Sequence, residues 1–126
     1  MSNLVAFTPE NEIETLIANA KRGAIPMEDV LARLPEVDLF VSSKREIQIG
    51  GGFEPLLLGT AQSPLVAAFT AASRPALHRQ VADYYFSMRG VEFFSGIPAR
   101  YGVILNPGYS AQLILAEHVV VGMREG

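Results

Sequence analysis

Two histidines, His78 and His118, are the side chains of this 126-residue sequence best suited to act as general bases near neutral pH. Nucleophilic catalysis needs such a base within hydrogen-bond reach of a hydroxyl, with a third group orienting the base from behind. His78 lies between Ser73 and Asp83, but all three fall on one expected helix or its ends, where an in-line relay is geometrically poor. His118 follows Glu117 and points to another face. The two histidines are 40 positions apart and neither belongs to a His-x-x-x-His or Glu-x-x-His pair, so the sequence carries no metal-ligand spacing. The absence of cysteine removes thiolate nucleophiles, disulfides and thiolate zinc sites. Gly50-Gly51-Gly52 is not followed by Gly-Lys-Ser/Thr, and Glu54 would bring an acid towards any phosphate, so the triplet reads as a turn. No catalytic set and no cofactor motif emerges, and binding is the favoured class.

Charge narrows the choice of partner. The formal net charge is −3, which argues against a nucleic-acid surface, where a basic face must displace counterions. Residues 1–54 hold nine acidic and five basic side chains, and the remainder holds four acidic and five basic. The acids at Glu10, Glu12 and Glu14 interrupt any signal-peptide pattern, and no apolar run approaches the ~20 residues needed to span a bilayer. The expectation is a cytoplasmic protein with no membrane segment. Its 49% apolar content over 126 residues suits one domain, residues 1–126, with its own core.

The elements that must position any site follow from periodicity. Thr8 and Pro9 predict the start of a first helix, Ile13, Leu16, Ile17 and Ala20 give it one apolar stripe, and Gly23 ends it. A second helix starts at Pro26, repeats the spacing through Met27, Val30, Leu31 and Leu34, and stops at Pro35. Val37, Leu39 and Val41 alternate as a strand, and a brief strand is expected at residues 47–49. Residues 56–58 and 65–69 read as an antiparallel hairpin. Ser73 predicts the cap of a third helix with Leu77 and Val81 on its apolar face. Strands are expected at 84–88, 103–105 and 112–115, with a helical turn at 90–95. For residues 117–123 two readings stand: helix by position, strand by the β-branched run Val119-Val120-Val121. The predicted fold is α+β, a mixed and largely antiparallel sheet with helices packed against it and two helices at the N-terminus.

Pro55-Leu56-Leu57-Leu58, then Leu65-Val66-Ala67-Ala68-Phe69-Thr70, then Gly102-Val103-Ile104-Leu105-Asn106-Pro107-Gly108 form an order that resembles the N-terminal domain of the SseB family, named for enhanced serine sensitivity. The likeness spans nearly the whole chain as an order of elements, with the specific matches at the two strand ends. The chain departs from the family pattern after Phe69-Thr70, where Ala71-Ala72 delays the serine to position 73. The resemblance implies a non-enzymatic bacterial cytosolic domain of mixed α/β structure.

Seven of the eleven aromatic residues fall between Tyr84 and Tyr109, flanked by Arg89 and Arg100. Such a cluster is either core or a partner surface, since aromatic residues and arginine are enriched at interfaces. Asn106-Pro107-Gly108 is explained as a turn by its backbone chemistry, with the Asn106 amide at a strand end as the functional alternative. The candidate binding residues are therefore Phe69, Thr70, Tyr85, Arg89, Arg100, Tyr101, Asn106 and Tyr109. The leading expectation is a protein-interaction module, self-association being one form of it. The alternative is a small-molecule-binding regulatory domain with its pocket at the strand ends near Phe69, Thr70 and Asn106.

Overall fold

Asn11, rather than Thr8, opens the first helix. Its side-chain oxygen accepts from Glu14 N at 3.0 Å, so α1 runs Glu12–Lys21. The reason lies upstream in a computed structural model that describes residues 4–44 and 55–125. Val5 pairs in parallel with Tyr109, donating to Gly108 O and accepting from Ser110 N, both at 2.8 Å. That pairing holds the N-terminal segment extended through Thr8, whose carbonyl accepts from Arg74. A tertiary strap overrides the local cap.

α2 follows as Met27–Arg33 and tightens into a 3-10 turn at Leu34–Glu36 before β1, Asp38–Ser43. Leu39 and Val41 face the core from β1, as their alternation requires. The expected strand at residues 47–49 and the triple glycine lie outside the described residues. β2 (Leu57–Gly59) and β3 (Pro64–Ala68) form the expected antiparallel hairpin. The helix expected from Ser73 is not formed. Only a 3-10 turn, Pro75–His78, stands there, because Arg74 is held by side-chain bonds to α1 and Ser73 donates to Glu10 rather than capping. Leu77 and Val81 are consequently exposed.

β4 (Tyr84–Arg89) leads into α3 (Gly90–Ser95), and β5 (Gly102–Leu105), β6 (Leu113–Leu115) and α4 (Glu117–Glu125) complete the chain. Gly90 is obligatory at the β4–α3 corner, since a Cβ there would stand 1.9 Å from the Leu34 carbonyl oxygen. α4 settles the C-terminal ambiguity as helix. Val120 is buried and Met123, one turn on, is half-buried in the same core, so helical spacing is what uses these residues.

The fold is α+β, with two sheets among the described residues. One is four-stranded and mixed, ordered β2-β3-β5-β6, with only the β3–β5 pair parallel. The other is the antiparallel pair β1–β4. Phe40 and Phe69 exchange two backbone hydrogen bonds of 2.8 Å and stitch β1 to the end of β3. Ile13 and Ile17 of α1, Phe93 and Phe94 of α3 and Val120 of α4 fill the space over Val66, Val103, Leu105 and Leu115. A smaller cluster of Leu56, Ala67, Ala82 and Ile104 lies apart from it.

Candidate protein-binding edge

Glu14 lies where a polar side chain is least expected, fully buried beside Ile13 and Ile17. Burial of a carboxylate is tolerated only when its oxygens are satisfied. Here Arg74 Nη2 donates to Oε1 at 2.7 Å and Arg74 Nε to Oε2 at 3.1 Å, a two-pronged contact from a guanidinium that is itself only 6% exposed. Thr70 Oγ1 donates to Oε2 at 2.6 Å and Glu10 N to Oε1 at 2.9 Å. Asn106 Nδ2 in turn donates to Thr70 Oγ1 at 2.9 Å, while its Oδ1 accepts from Thr70 N at 3.1 Å. Asn11 Nδ2 closes the network on Thr70 O at 2.8 Å. Phe7 and Tyr109 flank the Arg74 guanidinium at 4.4 and 5.0 Å from their ring centres.

Desolvation by burial would raise the Glu14 pKa, but the hydrogen bonds from Arg74, Thr70 and Glu10 N, with the Arg74 charge, outweigh it and hold the carboxyl below its ordinary range. The same hydrogen bond, against a desolvation cost, raises Arg74 further above its ordinary value. This latch ties α1, the ends of β3 and β5, and the N-terminal strap into one unit.

Four of the sequence-predicted residues meet here. Phe69 bridges to β1, Thr70 and Asn106 bond one another inside the latch, and the Tyr109 ring lies over Arg74. Asn106 adopts φ 54°, and Tyr109 N returns to Asn106 O at 3.2 Å, so Asn106-Pro107-Gly108 is a turn and its amide is turned inward. His78 Nε2 donates to Pro107 O at 2.7 Å and its ring lies 5.7 Å from Phe69, so this histidine braces the turn. His118 is exposed on α4. Among the described residues no three His, Asp or Glu side chains converge as a metal-binding group.

Tyr85 and Arg89 lie elsewhere, on β4. Phe40 gives both its backbone bonds to Phe69, so its antiparallel partner Ser87 turns its own N–H and C=O away from β1. By alternation Tyr85 and Arg89 do the same, while Phe86 and Met88 bond towards β1. Tyr84 and Tyr85 are 43% and 51% exposed, and Tyr85 meets Phe40 edge-on at 6.3 Å. Arg89 donates to Glu36 O at 2.8 Å and lies 3.6 Å from Asp38. No described strand pairs with the outer edge of β4. Phe93 and Phe94 belong to the core, so the sequence cluster divides between interior and edge.

Arg100 occupies a third place. It adopts φ 77° and lines a groove of about 570 Å³ over Leu65, Gly102 and Ile114, rimmed by Thr60, Ser63 and Glu117. Its guanidinium meets no hydrogen-bond or ion-pair partner among the described residues. Tyr101 is half-buried against the main core.

Sequence reasoning missed Glu14 and Arg74 as partners. The signal for the first was local: Asn11-x-x-Glu14 has the spacing of a helix-capping box, which places the start of α1 and marks Glu14. Nothing local marks Arg74. Comparison with protein-family models, with curated proteins and with solved structures gave no match.

Proposed function

We propose that this chain is a non-enzymatic protein-interaction module of the bacterial cytosol, SseB-like in outline, that binds partners by strand addition along β4. The observation that carries this reading is the outward set of backbone groups at Tyr85, Ser87 and Arg89, beside two exposed tyrosines. Edge strands that must stay solitary are kept short or blunted with lysine, proline or a bulge. β4 has six residues, none of them lysine or proline, and its register with β1 runs without interruption. β2 and β6, at the edges of the other sheet, have three residues each. Main-chain pairing would supply affinity and the tyrosines specificity.

The test is a photo-crosslinking amino acid at position 85, with a control at exposed Ala32 on α2, in cells of the native host. A discrete protein adduct from position 85 and none from position 32 supports the reading. Equal labelling from both positions overturns it.

A second reading, small-molecule binding, is favoured by the Arg100 groove. Its volume falls within the ~300–1,000 Å³ usual for ligand sites, and it lies at the opposite end of β3 and β5 from the latch.

A further inference from the structure

We infer that the partner of the β4 edge is a second copy of this chain, paired antiparallel with Phe86 on the two-fold axis. This inference rests on the binding-edge reading and adds its occupant and register. The argument starts from the order of residues along the edge, Asp83-Tyr84-Tyr85-Phe86-Ser87-Met88-Arg89, an acid at one end and a base at the other. α3 begins at Gly90, so strand pairing stops at Arg89. A two-fold at Phe86 sets Arg89 opposite Asp83 of the second copy and Asp83 opposite its Arg89.

The same register pairs Tyr85 with Ser87 in the hydrogen-bonded positions, which are the residues whose backbone groups already face outward. Tyr84 meets Met88 on the other face. Moving the two-fold to Ser87 would set Asp83 against Val91, inside α3, and remove the acid from the pairing. A parallel alignment would place Asp83 on Asp83 and Arg89 on Arg89. Only the antiparallel register centred on Phe86 uses all seven residues and opposes both charges. Such a contact is isologous, so it closes as a dimer and leaves no β4 edge for growth. A single strand pair belongs to the small class of interfaces, below ~1,200 Å², and its dimer is therefore concentration-dependent.

The experiment uses Asp83→Arg and Arg89→Asp, each alone and mixed in equal amounts, by sedimentation velocity over a concentration series. Both positions are exposed, and circular dichroism confirms folding. The wild-type chain is expected to dimerise, and each variant alone to associate about tenfold more weakly or less, because like charges then oppose at both ends. The mixture is expected to regain the dimer, since each variant supplies the sign the other lacks. Loss of the Asp38 contact in Arg89→Asp is present alone and in the mixture, so it cannot produce rescue. A mixture that stays monomeric, or variants that dimerise like wild type, overturns the proposal. If the wild type is monomeric at every concentration while position 85 still crosslinks another protein, self-pairing fails and the binding-edge reading stands.

Discussion

Glu14 and Arg74, sixty residues apart in sequence, meet through two hydrogen bonds of 3.1 and 2.7 Å with both side chains withdrawn from water. The carboxylate is held by Arg74, by Thr70 and by the Glu10 backbone, and the guanidinium by Glu14 and the Thr8 carbonyl. Their chemistry is spent on the fold, whereas β4 and the Arg100 groove face outward.

Breaking this pair from one side strands a buried charge. Glu14→Gln should lower stability by about 3–5 kcal/mol in urea unfolding, with Arg74→Met similarly damaging. The double variant should cost less than the two single losses added together, by about 2 kcal/mol, because neither charge is then left alone. Additive losses would show that the pair is not coupled.

The depressed Glu14 pKa fixes the sign of a pH dependence. Its contribution to stability is complete above the unfolded-chain carboxyl pKa of about 4.3 and is lost as pH falls through the lower folded-state value. Wild-type unfolding free energy should fall on acidification below pH ~4.3, and Glu14→Gln should flatten that slope.

Asn106 combines a left-handed backbone with two bonds to Thr70, and the two contributions separate by substitution. Asn106→Ala loses the bonds and keeps the strain. Asn106→Gly loses the bonds alone and should be more stable than Ala by about 1 kcal/mol. Thermal unfolding of both variants measures the difference.

Arg100 has the same backbone strain with no hydrogen-bond or ion-pair partner among the described residues to hold it. Arg100→Gly should therefore raise stability by about 0.5–1 kcal/mol. An unchanged or lower melting temperature would mean that the arginine side chain supports the groove.

What was legible in the sequence was what short-range periodicity encodes. The Val37–Val41 alternation and the Leu56–Phe69 hairpin were readable because a strand's burial follows its own spacing. Thr8 does not cap α1 and Ser73 does not start a helix, because Val5–Tyr109 and Glu14–Arg74 are tertiary contacts that outweigh local preference. The valines at 119–121 favour strands in isolation, yet burial of Val120 and packing of Met123 select the helix. Of the candidate site, the sequence offers Tyr85 and Arg89 as members of an aromatic cluster that is either core or partner surface, and both lie exposed on β4. The outward turn of their backbone groups was not legible, because it depends on Phe40 being committed to Phe69.

That outward turn is the central claim, and residue-resolved amide exchange reads it directly. In dilute protein the amides of Tyr85, Ser87 and Arg89 should exchange fast while those of Phe86 and Met88, bonded to β1, are protected. At high concentration Tyr85 and Ser87 should gain protection with no change at Phe86 and Met88. Equal protection along all of β4 in the dilute chain would contradict an open edge, and fast exchange at Ser87 at every concentration would contradict its pairing with a second copy.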